Sequence, residues 1–462
     1  MNRRLLLVVL AGLVIALLML AACSSSKPAA TATPTATPTP TLSPAPASIA
    51  RSFLEAIVSG DYASAEAMEN SAMSAAASAA TLEQLFQESV TLYGAFQSMG
   101  EVTTASQPPY INVTVPMTFA SATVAVIVTV DAESQVAGLH IGTVTPSVTP
   151  TPADYVNPDA FTEGNVTVGS APWALPGTLS MPKGTGPFPA VVLIAGSGPQ
   201  DRDETIGPNK PLRYLAWGLA TQGIAVLRYD KRTLVYGSQM AQLSNITVKE
   251  EVTDDAIAAI SLLRSTPNID PNRVFLIGHS LGAYLAPRIA AEVPGQLAGI
   301  GMLETPSSTL LQLILMQTEY LASLQGNLTE QEQQQIDTLK QQVALAESPD
   351  LTPSTPASEL PLGVPASYWL DLRTYDPLAT AASLNIPMFF SQGGRDYQVP
   401  PSELGPWQTA LAGKSDVTFK EYPSLDHLLF AGTGQSTPAE YTVPSHVAGE
   451  VVSDLAAWVL SH

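Results

Sequence analysis

From about Asp154 to the C-terminus, short apolar runs alternate with stretches whose apolar residues recur at helical spacing. Residues 189–195, 223–229, 274–277, 298–303 and 386–391 predict buried strands, and Val417–Tyr422 predicts a final one. Residues 212–221, 252–265 and Leu281–Glu292 predict the helices between them, and Asp270-Pro271-Asn272 reads as a turn feeding the strand at 274–277. Such alternation implies a largely parallel sheet with helices on both faces. It stops between Glu304 and Pro377. There Leu311, Leu315, Tyr320 and Leu324 predict one helix, broken at Gly326-Asn327. Thr329 with Glu332 is a capping-box signature opening a second helix that carries Ile336, Leu339 and Val343. A helical hairpin inserted after a late strand predicts a cap over about residues 305–377.

The pattern ahead of this region is different. Phe53, Leu54 and Ile57 predict an amphipathic helix ending at Gly60-Asp61, and Leu82, Leu85 and Phe86 predict another. After Gly100 the period becomes two, in Ile111, Val113 and Val115 and again in Val124, Val126, Val128 and Val130, as in half-buried antiparallel strands. Residues 49–142 therefore form a small α+β domain, and 154–462 the larger α/β domain. Residues 23–48 and 143–153 read as linkers. The first, centred on Thr-Ala-Thr-Pro-Thr-Ala-Thr-Pro-Thr-Pro, cannot bury enough apolar surface to fold and stays extended. The small domain has one histidine, His140, and no catalytic set. It reads as a binding or spacing domain whose protein partner is unspecified.

Arg3 and Arg4 precede an apolar run from Leu5 to Leu20, and Leu20-Ala21-Ala22-Cys23 follows. A basic start, an apolar stretch and small residues describe an export signal over residues 1–22. Leu-Ala-Ala-Cys resembles the lipobox of bacterial lipoproteins, which implies cleavage before Cys23 and a diacylglycerol on its sulfur. The competing reading is an uncleaved membrane anchor, since residues 5–22 could just span a bilayer. Either way the rest of the chain is expected outside the cytoplasmic membrane, lipid-anchored at its outer face or elsewhere in the cell envelope. Cys23 is the only cysteine, which excludes an intrachain disulfide and a second thiol for catalysis or metal binding. A net charge of −20 argues against nucleic acid and against direct binding to anionic head groups, so contact with the membrane would run through the lipid.

The chemistry centres on Gly278-His279-Ser280-Leu281-Gly282. The segment joins a predicted strand to a predicted helix, which puts Ser280 on a sharp turn with glycines where a Cβ would clash. A serine nucleophile needs a base, and the base an orienting acid. The larger domain offers four histidines. His279 adjoins the serine and cannot easily fold back onto its oxygen, and His462, at the very end, is expected to fray. His427, on a loop after the last strand, is the expected base, with His446 the main alternative. Asp396 follows a strand through Gln392-Gly393-Gly394-Arg395 and is the expected acid, against a plainer reading as a turn aspartate. Asp426, beside His427, reads as a loop residue. The oxyanion donors are expected to be the amides of Leu281 and of Ser197, in the loop Gly196-Ser197-Gly198-Pro199. No His/Asp cluster has metal-ligand spacing, and no cofactor is implied.

The order Ser280, Asp396, His427, the nucleophile turn, Gly196-Ser197-Gly198-Pro199-Gln200-Asp201-Arg202-Asp203-Glu204, Gly207-Pro208-Asn209-Lys210-Pro211 and Leu227-Arg228-Tyr229-Asp230-Lys231-Arg232 together resemble exported bacterial α/β-hydrolases of the esterase-like kind. The resemblance runs from about residue 175 to the C-terminus. It implies an α/β-hydrolase fold with a helical cap behind a small uncharacterised domain, and serine acyl hydrolysis of a small-molecule acyl substrate. A carboxylic ester comes first; a thioester, peptide or amide cleaved by the same three residues stays open. Many relatives carry His-Gly where this chain has Ala195-Gly196, so a side chain that often buttresses the loop is missing. Asp201, Arg202, Asp203, Arg228 and Asp230 are expected to form an ion-pair network under that loop. The apolar residues of the cap, with Tyr368 and Trp369, either favour a substrate with an apolar part or only pack the cap onto the core. A reading of another class, a non-catalytic surface-binding lipoprotein, would keep the fold as a scaffold.

Overall fold

The computed structural model describes residues 45–107, 110–120, 122–146, 152–240, 242–243, 245–326 and 328–462. The expected signal segment, Cys23, nearly all of the first linker and residues 147–151 of the second lie outside the described residues. The described chain forms two compact units, one up to residue 146 and one from residue 152. Among the described residues, no helix is long and apolar enough to cross a membrane.

In the smaller unit, the helix Pro46–Ser59 opens on a proline, buries Ile49, Phe53, Leu54 and Ile57, and stops at Gly60, whose φ of 82° suits glycine. A second long helix, Ala79–Tyr93, is capped by the Ser78 side chain. Five antiparallel strands follow: β1 (Phe96–Met99), β2 (Thr103–Gln107), β3 (Tyr110–Phe119), β4 (Ala122–Val130) and β5 (Val136–Pro146). The sheet order is β1-β3-β4-β5, with β2 paired to β3. Strict alternation along β4 buries Val124, Val126, Val128 and Val130 against the helices. Two boundaries differ from the sequence reading. The first helix begins inside the Pro/Thr-rich stretch, because Pro at its first turn starts a helix as readily as it extends a linker. β5 continues past residue 142, its polar Thr143 and Thr145 having hidden the strand. β1, β2 and the short helices Tyr62–Glu66 and Ser71–Ala76 carried too little apolar periodicity to be read.

The larger unit is built on eight strands: β6 (Phe161–Val168), β7 (Leu175–Pro182), β8 (Phe188–Ile194), β9 (Ala225–Tyr229), β10 (Ile269–His279), β11 (Gly299–Leu303), β12 (Met388–Gly393) and β13 (Val417–Tyr422). Their order is β13-β12-β11-β10-β8-β9-β7-β6. β8 to β13 pair in parallel, whereas β7 runs antiparallel to both β6 and β9. The hairpin β6–β7 was not foreseen, since β6 buries only its two ends and so has no alternation to read. β10 is longer than expected. Ile269 pairs with Phe188 and pairing resumes at Val274 with Ala190, so the turn at Asp270-Pro271-Asn272, where the Asn272 amide donates to the Asp270 carboxylate at 2.9 Å, lies within the strand rather than before it.

Both faces of the sheet are covered. Pro211–Thr221 and the C-terminal helix Gly449–Ser461 bury Leu212, Leu215, Leu219, Val452, Leu455 and Trp458 on one side. Asp254–Ser265 and Leu281–Glu292 bury Ile260, Leu263, Leu285 and Ile289 on the other. Between β11 and β12 the chain forms the helices Leu310–Gln325 and Glu330–Glu347, both opened by full capping boxes, and then Ala366–Arg373 and Pro377–Ser383. The chain leaves β8 toward β9 on one side and returns to β10 on the other. That change of direction opens a crevice at the carboxyl ends of β8 and β10.

The loop after β8 stands on buried charge. Arg228, on β9, is fully buried between the carboxylates of Asp203 and Glu163. Lys210 Nζ and Arg213 Nε each lie 3.2 Å from Asp203 Oδ2. Burial pushes the Asp203 carboxyl up, but Arg228, Arg213 and Lys210 outweigh it and hold it below the ordinary carboxylate range. Arg202 grips Asp230 through two N–H groups, at 2.9 and 2.7 Å. Asp201 departs from the expected network: it accepts from the Asp203 and Thr205 amides and the Thr205 hydroxyl, and so shapes the turn.

Two outcomes are expected. Phe389→Ala, at a fully buried β12 position packed on Trp458, lowers unfolding free energy by about 3–5 kcal/mol in urea titrations. Asp203→Asn leaves Arg228 with Glu163 alone and costs about 3–5 kcal/mol near neutral pH. A carboxylate whose folded pKa is depressed contributes its stability above its unfolded pKa of about 3.9. That contribution is lost as pH falls below this value, so the difference between Asp203→Asn and the parent narrows in urea titrations repeated at decreasing pH.

Candidate active site

Ser280 sits where β10 passes into the helix Leu281–Glu292, with φ 53° and ψ −117°. An L-residue there carries strain of about 1–3 kcal/mol, which the surroundings must overdetermine. They do so through the backbone. The Ser280 amide donates to the Leu303 carbonyl at 3.0 Å, and the Ser280 carbonyl accepts from the Tyr284 amide at 2.9 Å. A Cβ on Gly278 would lie 2.2 Å from the Gly282 carbonyl, and one on Gly282 would lie 2.5 Å from the Ile194 carbonyl oxygen. The two glycines thus let strand, helix and β8 approach more closely than any side chain allows.

Asp396 and His427 come from neighbouring strand ends. β12 runs into Gly393-Gly394, where added Cβ atoms would lie 2.5 Å from the Leu425 carbonyl oxygen and 2.7 Å from Pro423. This close approach presses the turn of Asp396 against the loop after β13. Asp396 Oδ1 accepts from the amides of Gln398 and Val399, at 2.7 and 2.9 Å, while Oδ2 accepts from His427 Nδ1–H at 2.7 Å. Asp396 is therefore a turn aspartate and a histidine partner at once. Both side chains are buried. Asp426 turns away and accepts from the Leu428 and Phe430 amides, and burial pushes its carboxyl up to about 6. His446 packs on Tyr214, ring centroids 4.8 Å apart. His462 does not fray as expected: its ring meets the Trp458 carbonyl at 2.8 Å and Asp416 at 3.1 Å, closing the last helix.

Two buried carboxyl groups went unnoticed in the sequence. Glu304 follows β11 with φ 51°. It accepts from the Gly393 amide at 2.7 Å, the Gln392 side chain at 3.2 Å and the Ser391 hydroxyl at 3.2 Å. Burial, and then the charge of Asp396 hydrogen-bonded beside it, push its pKa well above the ordinary carboxylate range. Glu204, with φ 53°, accepts from the Gly196 amide at 2.6 Å and meets His279 Nδ1 at 3.1 Å. A charged residue one step beyond an apolar strand marked Glu304 in the sequence. No local pattern marked Glu204.

The loop after β8 lies against the serine, since a Cβ on Gly196 would be 3.3 Å from Ser280 Cβ. Its Ser197 is exposed and Leu281 is buried. The Gly196 carbonyl accepts from Lys231 Nζ at 2.8 Å. Lys231 also pairs with Glu251, whose other oxygen accepts from the Tyr368 hydroxyl at 2.7 Å. Tyr368 and Trp369 are thus core residues, as are Leu311, Leu339 and Val343 of the cap. The helix Leu310–Gln325 reaches the Asp396 turn through Gln317, which donates to the Gln398 carbonyl at 2.9 Å, and through Tyr320, stacked 5.0 Å from Tyr397. Among the described residues, no group of three His, Cys, Asp or Glu side chains could hold a metal ion.

Residues 191–442 match the model described as "Alpha/beta hydrolase family", and residues 50–139 match "Protein of unknown function (DUF3887)". The chain is 36% identical over 409 residues to Esterase EstD of Thermotoga maritima, covering 88% of this chain and 94% of the relative. Among solved structures, it is similar to an esterase of Pyrococcus furiosus at 17% identity and a TM-score of 0.43, over 68% of this chain and 96% of that one. It is also similar to dipeptidyl peptidase 4 of Porphyromonas gingivalis at 13% identity and a TM-score of 0.42, over 78% of this chain and 43% of that one. With the family model matched over more than half of its length and a 36% identical esterase relative over most of it, the chain belongs to the alpha/beta hydrolase family, behind a small domain of the DUF3887 family.

Proposed function

We propose that the protein hydrolyses carboxylic esters through an acyl-enzyme formed on Ser280. The observations that carry this reading are the strained strand-to-helix serine and a buried His427–Asp396 pair at 2.7 Å, whose histidine is held through its carbonyl by His279, the residue before Ser280, in a chain related over most of its length to an esterase. With Nδ1–H given to Asp396, His427 keeps Nε2 for the Ser280 hydroxyl. His427 takes that proton as Oγ attacks the ester carbonyl carbon, and the carbonyl electron pair moves onto oxygen. The amides of Ser197 and Leu281 receive the oxyanion; the Gly196 amide is already committed to Glu204 and does not compete. Collapse expels the alkoxide, which takes the proton from His427. Water then attacks the acyl group, passes a proton to His427, and the carboxylic acid leaves as Ser280 regains its hydrogen. Asp396 holds the imidazole through Nδ1–H while the proton moves at Nε2, with Glu304 hydrogen-bonded beside it.

The same reading places the enzyme outside the cytoplasmic membrane, held by a lipid on Cys23 across the Thr/Pro-rich spacer, with the small domain as a binding or spacing unit.

A fluorophosphonate probe on the mature protein tests the serine without a guessed substrate. Labelling is expected at Ser280 by mass spectrometry, absent in Ser280→Ala and strongly reduced in His427→Ala. Ser280→Ala is expected to lower kcat for a short-chain p-nitrophenyl ester by about 10⁴-fold or more, and Asp396→Asn by about 10²–10⁴-fold. A folded, unlabelled protein would overturn the reading. For the anchor, radiolabelled palmitate is expected to enter the native chain and not Cys23→Ser; equal labelling of the two would exclude lipidation at that sulfur.

A further inference from the structure

One buried pair beside the serine has no part in the steps above. His279 presents both ring nitrogens to oxygen atoms. Nε2 lies 2.8 Å from the main-chain carbonyl of His427, and Nδ1 lies 3.1 and 3.0 Å from the two carboxyl oxygens of Glu204. A carbonyl oxygen can only accept, so Nε2 bears a hydrogen. Glu204 Oε1 already accepts from the Gly196 amide at 2.6 Å, as a carboxylate does. Its two oxygens stand almost equally far from Nδ1, which suits a carboxylate facing an N–H rather than a carboxylic O–H aimed at a bare nitrogen. The ring is 4% exposed and Glu204 is 2% exposed, so water does not supply the partners.

We propose that His279 is a permanent imidazolium, paired with the Glu204 carboxylate, and that this ion pair is the positioning device that holds the oxyanion loop, the serine turn and the base loop in one register. The inference rests on the roles given above to Ser280, Ser197 and His427. Each end of the pair grips a different piece of the site. Glu204 fixes the Gly196 amide and so aims the next amide, that of Ser197. His279 is covalently adjacent to Ser280. Its Nε2–H holds the backbone of His427, whose ring lies 4.7 Å from its own, between centroids, and reaches Asp396. The pair is neutral as a whole, so it can be buried without an uncompensated charge.

The charged groups facing His279 are Glu204 from the loop after β8 and Asp396 from the turn after β12; the loop after β13 presents the main-chain carbonyl of His427 and its titratable ring. Burial works against the charged ring. The Glu204 charge and hydrogen bond, the His427 carbonyl and Asp396 outweigh it and raise the ring above the usual imidazole range. In turn, burial lifts the Glu204 carboxyl, but His279 and the Gly196 amide more than offset this.

The test is long-range ¹⁵N–¹H correlation of the folded protein labelled at its five histidines, with His279 assigned through His279→Gln. Both His279 nitrogens are expected to carry protons from pH 6 to 8, and Nδ1 is expected to lose its proton in that interval in Glu204→Gln. Glu204→Gln and His279→Gln are expected to lower kcat by about 10- to 100-fold, by analogy with the outer-shell groups that orient metal ligands, with KM changed less than about threefold. A single protonated nitrogen in the wild-type ring at pH 7 would overturn the proposal, and that measurement needs no variant to fold. So would two protonated nitrogens with kcat unchanged in a folded Glu204→Gln protein. Probe labelling at Ser280 is read separately, so a failed catalytic reading is not confused with a failed ion pair.

Discussion

The larger unit is organised around a backbone contact that tolerates no side chain. Gly278 and Gly282 bring the end of β10, the start of the following helix and the end of β8 within carbonyl contact, and Ser280 takes its strained φ from that crowding. Strain of this kind persists only where the surroundings leave no alternative. Here the alternatives are closed from several sides, by the amide of Ser280 bonded into β11, by a helix that starts at once, and by a loop after β8 lying against the serine. The core on both faces of the sheet can thus be seen as the frame that keeps one residue in an unfavourable conformation.

Around this point the molecule places an unusual number of buried ionisable groups. Arg228, Asp203, Lys210, Lys231, Glu251, Glu204, His279 and Glu304 are all largely removed from water, and most meet a group of opposite charge or a set of amides. Burying charge in this way is a poor source of net stability, because the loss of hydration cancels most of the attraction. Its effect is directional. Each pair has one acceptable geometry, and together they hold the loop after β8 and the turn after β12 without relying on the regular ladder of a sheet. Glu304 follows the same logic differently, since burial beside Asp396 pushes its carboxyl well above the usual carboxylate range.

Much of this was legible in the sequence. The buried strands β8 to β12 announce themselves as apolar runs, because strands covered on both faces need no polar alternation. The glycines around Ser280 and before Asp396 mark the sharp turns directly, and the order of serine, aspartate and histidine follows from reading along the chain. The hairpin β6–β7 was hidden because an edge strand with an exposed middle has no apolar run. The roles of Glu204 and His279 were hidden for a different reason. Their contact spans 75 residues and depends on where a loop returns, which no local period encodes. Tyr368 and Trp369 could be read either way in the sequence, since large apolar residues in an insertion can line a pocket or belong to the core they cover; they belong to the core.

The attachment of β6 has a consequence for how the sheet opens. An edge strand is ordinarily the first to fray, since it is paired on one side only. Glu163 lies in this strand, and its carboxylate meets the guanidinium of Arg228 beneath β7. Peeling β6 away would therefore strip a fully buried cation of one of its two counter-charges. Local opening at this margin is thus coupled to the interior, and unpairing β6 costs more than an edge strand held by its ladder alone.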